Sequence, residues 1–322
     1  MSTPPRIGAN RRMTSNYGWR MEIDPSSEIE PFSAPKVHGR LGEFLETFDR
    51  NGLVRFKGVT DLDHFVDLSD LFTSDFSTYY GKGGGFTTGA MARTRIGGRS
   101  TVLSTTGDDQ SIPIPLHGEM HYGPNPPRHI WFWCEQAASN GGRTTIADGR
   151  KAIARLDAAT RDYLADTDFV IVRRLGHSEV EAVFGRPSGR GLEKELTRLG
   201  FEVRNREDHL EIRFKVRLVK PDRSGHLVLT GSFLPIYLGE MLALKKGERT
   251  DRGFVIRCVD DSGIPETIFW RVQAASQSAS EYIDWKDGDA VLIDNHRVMH
   301  GRTGSKDASR RIAVRLGEDA RS

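Results

Sequence analysis

The chain has 322 residues, 37% of them hydrophobic and 28% charged, with mean hydropathy −0.48. That length and balance give a globular protein with a substantial core and exclude a disordered chain. Basic residues exceed acidic ones by 46 − 44 = 2, so no net field calls for nucleic acid or a lipid surface as partner. No apolar run approaches the roughly 20 residues of a membrane helix, and the N-terminus lacks the apolar core of a secretory signal. A cytoplasmic protein is expected. Two cysteines, Cys134 and Cys258, sit in apolar runs and read as buried free thiols.

Residues 1–36 are rich in Pro, Ser, Arg and Glu without a sustained period and read as an arm before a single domain over 37–322. Leu41, Phe44, Leu45 and Phe48 recur at helical spacing between Gly39 and Asn51, and Asn51-Gly52 closes that helix. Leu53–Val59 alternates as a strand, and a second helix is expected from about Leu62 to Leu71. The stretch from Ser74 to Gly107 carries Gly81, Gly83, Gly84, Gly85, Gly89, Gly97 and Gly98 among Ser and Thr, which predicts a loop able to cover a site.

Ser111–Pro115 reads as an edge strand leading into Leu116-His117-Gly118-Glu119-Met120-His121-Tyr122. On a continuing strand, His117 and Glu119 would face the same way, about 7 Å apart. An imidazole and a carboxylate so placed can grip one divalent metal, and a third ligand is offered by Asp294-Asn295-His296-Arg297-Val298-Met299-His300. Two histidines and one carboxylate on one side of a metal leave its other positions open, as in non-haem Fe(II) oxygenases. His121 would share that strand face but sits beyond reach of a shared metal. His129 and His296 read as packing or hydrogen-bonding histidines, and Asn295 and Arg297 as supports of the His300 loop.

Ile130–Cys134 is aromatic and β-prone, and Arg143–Ile146 follows an Asn140-Gly141-Gly142 turn as another strand. Asp148 is placed to cap a helix through about Leu164, and Phe169–Leu175 returns to strand. Residues 176–250 mix short helices and charged hairpins and read as an insertion. A helix over Ile264–Ala275, a buried strand Ala290–Asp294 and an alternating strand Arg310–Leu316 complete the chain. Many short strands with flanking helices predict a mainly β fold with a jelly-roll core.

Thr144 lies 25 residues after Glu119, and Arg311 and Arg315 lie 11 and 15 residues after His300. Arg311 and Arg315 share one strand face, where their guanidiniums could clamp a carboxylate. Together, His-x-Glu, Gly-Gly-x-Thr and Asp-Asn-x-Arg-x-x-His-Gly-Arg with a trailing Arg-x-x-x-Arg resemble the taurine dioxygenase/clavaminate synthase-like superfamily, over roughly residues 111–150 and 288–316. That resemblance implies a double-stranded β-helix oxygenase that uses Fe(II), 2-oxoglutarate and O2. It implies iron ligation by His117, Glu119 and His300, and a grip on the far carboxylate of 2-oxoglutarate by Thr144 and Arg311. Arg315 would then lie near the keto-acid end or the substrate. Much of the superfamily has Asp where this chain has Glu119; glutamate resembles the clavaminate synthase-like branch, whose relatives act on amino acids.

The expected reaction is oxidation of a C–H bond of a small molecule, hydroxylation by default, with desaturation, cyclisation and epoxidation left open. The expected substrate is an amino acid or amino-acid-derived intermediate of specialised metabolism, free or tethered to a carrier protein. Glu119 fills the position that related halogenases leave open for halide, so oxygen chemistry is expected. Two other readings stand beside this one: a non-catalytic cupin-type jelly roll holding zinc, and a metallohydrolase. A homo-oligomer is compatible with all of them.

Overall fold

Strand side chains alternate faces, and the run His129-Ile130-Trp131-Phe132-Trp133-Cys134 shows what that does here. Ile130, Phe132 and Cys134 pack with Val291, Ile293, Ile312, Val314 and Leu316 in one buried cluster. Trp131 and Trp133 turn the other way, onto Phe44, Phe56, Phe65 and Leu292 in a second. One sheet therefore has two apolar faces, one toward a facing sheet and one toward helices.

The computed structural model describes residues 32–33, 41–77, 93–105, 110–247 and 253–320. In chain order the first elements are β1 (Phe32–Ser33), α1 (Leu41–Asn51), β2 (Leu53–Lys57), α2 (Leu62–Asp70), β3 (Thr73–Ser74), β4 (Leu103–Ser104) and β5 (Ile114–His117). Next come β6 (His129–Gln136), β7 (Thr144–Asp148), α3 (Gly149–Ala154), α4 (Ala158–Asp166), β8 (Phe169–Gly176), α5 (His177–Phe184) and α6 (Arg190–Arg198). They are followed by β9 (Glu202–Asn205), β10 (His209–Val216), β11 (Val219–Pro221), β12 (Leu227–Leu229), α7 (Phe233–Lys245) and β13 (Gly253–Cys258). The chain closes with α8 (Glu266–Ser278), β14 (Ser280–Ile283), β15 (Ala290–Asp294), β16 (Val298–Arg302) and β17 (Arg311–Asp319).

The larger sheet runs β1-β2-β15-β6-β17-β3, with β4 also paired to β17; the smaller runs β14-β7-β16-β5. Ile146, Ile283 and Val298 of the smaller sheet close over the inner face of the larger one, which makes the expected jelly-roll core. Helices α1 and α2 cover the outer face of the larger sheet through Phe44, Phe48, Phe65 and Leu68. The outer face of the smaller sheet, through Leu116, Ala147 and Met299, meets Ile153, Phe233, Phe269 and Val272 of α3, α7 and α8. A separate sheet, β13-β8-β10-β9, carries α5 and α6 on Leu175, Leu210 and Ile212; α5, α6, β9 and β10 fall in the stretch read as an insertion, and β8 and β13 flank it.

Two expectations are corrected. The helix expected from Asp148 through Leu164 is two helices, because Asp157 accepts the Thr160 amide at 2.9 Å and starts a second one. The strand expected over Ser111–Pro115 lies at Ile114–His117, with consequences for Glu119. Most of the expected arm, and residues 78–92 and 106–107 of the expected covering loop, lie outside the described residues. No described helix is long and apolar enough to cross a membrane. Cys134 is a buried free thiol as expected, whereas Cys258 is only half-buried.

Candidate metal centre

His117 ends β5 and stands directly opposite His300 of β16 in the ladder, their ring centroids 4.4 Å apart. The His117 Nδ1 lies 2.9 Å from the Pro115 carbonyl. A carbonyl only accepts, so Nδ1 carries the proton and Nε2 keeps its lone pair for a metal.

Glu119 reaches the same place by a different route from the one expected. The strand stops at His117, and the chain turns through Gly118, Glu119 and Met120, which has φ +59°. Gly118 donates its N–H to Gly231 at 2.8 Å, and its carbonyl accepts from the Ser232 hydroxyl at 3.1 Å. A Cβ on Gly118 would lie 2.6 Å from the His121 ring, so only glycine fits there. Asn295, fully buried, clamps the next residue from both sides. Its Oδ1 accepts the Glu119 amide at 2.7 Å and its Nδ2 donates to the Glu119 carbonyl at 2.9 Å. The turn, rather than strand alternation, aims the carboxylate.

Glu119 Oε2 lies 3.7 Å from His300 Nε2 and 2.6 Å from Arg93 Nη2. Burial alone would raise this carboxyl, but the Arg93 charge and the neighbouring imidazoles hold it well below the usual carboxylate range. Burial, followed by repulsion from His300, pushes His117 down to about 4. A neutral imidazole beside an ionised carboxylate is the protonation state a divalent metal requires. His117, Glu119 and His300 can each offer one ligand atom with all three within 4.8 Å of one another. The His300 Nδ1 is buried without a described hydrogen-bond partner. Two imidazoles and one carboxylate suit Fe(II), so the donor set fits that ion.

His121 stands outside this group: its Nε2 donates to the Asn295 carbonyl at 3.0 Å. His296 Nε2 meets the Pro126 carbonyl at 3.2 Å, and His129 Nδ1 meets Thr73 Oγ1 at 2.9 Å. Arg297 supports the loop, as expected, through Asp148 at 2.7 Å and the Asp49 carbonyl at 3.0 Å.

The carboxylate clamp is where expectation and structure part. Thr144 is buried, with its Oγ1 accepting from Trp285 Nε1 at 2.9 Å. Arg311 is exposed and ion-paired to Glu135 at 3.0 Å. Arg315 is buried on the helix-covered face, where its Nη1 donates to the Val66 carbonyl and to Asp70, beneath the Phe76 ring. The two do share a side of β17, as expected, but it is the side away from the interior. The interior side belongs to Ile312, Val314 and Leu316.

Arg310 precedes that interior series and is 5% exposed. It donates Nε to the Gly142 carbonyl at 2.8 Å, while its Nη1 is buried without a described partner. Gly142 has φ +65°, and a Cβ there would lie 2.8 Å from Arg310 Cδ, so the Gly-Gly turn makes room for this guanidinium. Burial, then the charge of Arg302, pushes Arg310 down to about 10. Arg302 is also buried, shares the face of β16 with His300 and stands opposite Thr144 in the ladder. Sequence reasoning passed over Arg310. The signal was the apolar alternation Ile312, Val314, Leu316, whose parity includes Arg310 and excludes Arg311 and Arg315. Arg93 had no comparable signal, since it stands beside a glycine-rich stretch with no motif around it.

A family model described as "Taurine catabolism dioxygenase TauD, TfdA family" matches residues 27–316. A clavaminate synthase-like protein of Arabidopsis thaliana is 26% identical over 286 residues, covering 83% of this chain and 81% of that one. Among solved structures, a putative alpha-ketoglutarate-dependent taurine dioxygenase of Burkholderia xenovorans superposes with TM-score 0.54 at 13% identity, covering 92% and 93% of the two chains. PvcB of Pseudomonas aeruginosa superposes with TM-score 0.51 at 15% identity, covering 87% of this chain and 80% of that one. These two structural likenesses concern the fold.

Proposed function

The chain belongs to the taurine catabolism dioxygenase TauD, TfdA family, and from that premise we propose that His117, Glu119 and His300 hold its iron and that its substrate is an amino acid or amino-acid-derived molecule. It is an Fe(II)- and 2-oxoglutarate-dependent dioxygenase acting on a small molecule. The zinc-holding cupin-type protein and the metallohydrolase give way to that assignment.

The observation that carries the ligand reading is the convergence of three ligand atoms within 4.8 Å from positions 117, 119 and 300. Bound there with 2-oxoglutarate and O2, the iron supplies the oxidising power for attack on a C–H bond. The chain's own residues do the rest. The Pro115 carbonyl fixes the His117 tautomer, the Asn295 amide fixes the Glu119 backbone, and Arg93 keeps the Glu119 carboxylate ionised. The apolar residues around Phe132, whose ring lies 5.4 Å from that of His300, keep water from the site.

For the far carboxylate of 2-oxoglutarate, Arg310 takes the place first expected of Arg311. An interior guanidinium with a nitrogen unpartnered among the described residues, pressed by a second buried guanidinium, is relieved by an anion. Arg302, whose charge acts on Arg310, stands opposite Thr144 in the β7–β16 ladder. Glu119 occupies the coordination position a halide would need, so the product is oxygenated rather than chlorinated. Hydroxylation is the simplest such outcome.

The amino-acid reading is supported by glutamate at position 119 and by the likeness to a clavaminate synthase-like protein. PvcB, of similar fold, is described as an oxygenase from an isonitrile synthetic pathway, which favours a place in specialised metabolism. The test is succinate release from 2-oxoglutarate by the Fe(II)-loaded protein with amino acids, sulfonates and fatty acids added in turn. Stimulation by amino acids alone is expected. Stimulation by sulfonates or fatty acids alone would sink the amino-acid reading.

A further inference from the structure

Arg93 is 7% exposed, and it spends one nitrogen on a metal ligand: Nη2 donates to Glu119 Oε2 at 2.6 Å. The other terminal nitrogen, Nη1, is buried with no hydrogen-bond partner among the described residues. An unmade hydrogen bond on a buried guanidinium is costly, and a fold keeps one where a ligand will complete it. The backbone that carries Arg93 is tied to the jelly roll rather than hung over it. Thr94 donates its amide to Ser104 Oγ at 2.9 Å and accepts the Ser104 amide at 2.7 Å. Arg95 bridges to Leu103, which pairs with Val314 of β17. Arg93 is thus presented at a fixed place beside Glu119.

Its charge is only partly answered there. Once Glu119 shares its negative charge with a divalent metal, it offers Arg93 less, and the guanidinium is left with surplus positive charge and an open donor. A planar fork in that condition matches a carboxylate. The far carboxylate of 2-oxoglutarate has a separate home at Arg310, so the group that completes Arg93 comes from elsewhere.

We propose that Arg93 binds a carboxylate of the substrate beside the metal, making it a specificity residue and making the substrate a small organic acid. This rests on the reading of His117, Glu119 and His300 as the metal centre. It adds to the amino-acid reading the group by which such a substrate is held.

The test uses propionate and its neutral isostere propionamide as probes. Full-length protein is loaded with Zn(II) and N-oxalylglycine to fill the cosubstrate site, labelled with 15N-arginine, and titrated while the guanidinium signals are followed by NMR. Mn(II) affinity is measured in parallel for wild type, Arg93→Gln, Arg93→Lys and Glu119→Gln. Propionate is expected to shift, saturably, a signal that Arg93→Gln lacks, and propionamide is expected to leave it in place. Loss of the charged hydrogen bond should weaken propionate binding about 10-fold or more in Arg93→Gln, with partial recovery in Arg93→Lys. Mn(II) affinity should fall far less in Arg93→Gln than in Glu119→Gln. Equal responses to the two probes, or wild-type propionate affinity in Arg93→Gln, would overturn the proposal and leave the metal centre standing. Mn(II) loss in Arg93→Gln as large as in Glu119→Gln would reduce Arg93 to a support for Glu119. Equal Mn(II) affinity in wild type and Glu119→Gln would remove the metal centre and the proposal with it.

Discussion

Arg310 and Arg311 are neighbours in the chain and meet opposite surroundings. Arg310 is buried beside Gly142 and Arg302, its Nη1 without a hydrogen-bond partner among the described residues. Arg311 stands in solvent on Glu135. Arg315, on the same side as Arg311, is buried again, but against α2, where Val66 and Asp70 accept its hydrogen bonds. Three arginines at the start of and along β17 thus meet three surroundings: the jelly-roll interior, solvent and the packed helix face. Residue type and spacing say that a carboxylate clamp is available here. Only the parity of the apolar residues says which arginine faces the site.

The sharpest way to test that division is to compare an interior ligand with everything outside it. Glu119→Ala should lower Mn(II) affinity by more than about 100-fold, because it removes a charged ligand outright and strands Arg93 as well. Equilibrium dialysis of metal measures it. Next comes the pair of neighbours at the start of β17. Arg310→Gln should raise the KM for 2-oxoglutarate about 10- to 100-fold, since it removes charged hydrogen bonds in a buried place. Arg311→Gln should leave that KM within about 2-fold, because an exposed ion pair contributes little. The reverse ranking would restore the assignment first expected from spacing.

Arg315→Ala separates packing from binding. It should cost about 1–3 kcal/mol of stability in urea unfolding by leaving buried acceptors of α2 unmatched, with the KM for 2-oxoglutarate unchanged. The smallest effect concerns the thiols. Burial, followed by the charge of Asp287, pushes Cys134 up to about 12. Below the ordinary thiol value near 9 that shift leaves stability untouched, and stability falls as pH rises above it, since the unfolded chain then loses its proton first. Iodoacetamide at pH 8 should therefore mark half-buried Cys258 and spare Cys134 in the native protein, as mass spectrometry would read out.

Much of the fold was legible because its strands announce themselves twice, by β-prone composition and by turns at their ends. Ile130–Cys134 and Ala290–Ile293 are apolar without a break, and both lie in central strands of the larger sheet. The helix after Asp148 was read as one because Ile153, Leu156 and Leu164 fit one helical face. The break came from Asp157, whose side chain caps a new start. At the site, His117, Glu119 and His300 were legible from residue type. The turn that aims Glu119 was not, since it depends on Gly231, Ser232 and Asn295, all more than 100 residues away. Arg93 was illegible for the same reason. Its partner lies 26 residues on, and no local pattern ties the two together.

The measurement that bears most directly on the whole account is succinate formation from 2-oxoglutarate by anaerobically purified, Fe(II)-loaded protein, with Glu119→Ala beside it. Slow turnover without the true substrate is enough for the comparison. Succinate from the wild type and none from Glu119→Ala is the result expected. Equal succinate from both, or none from a wild type that rejects iron and binds zinc tightly, would contradict the assignment of His117, Glu119 and His300 as the iron centre.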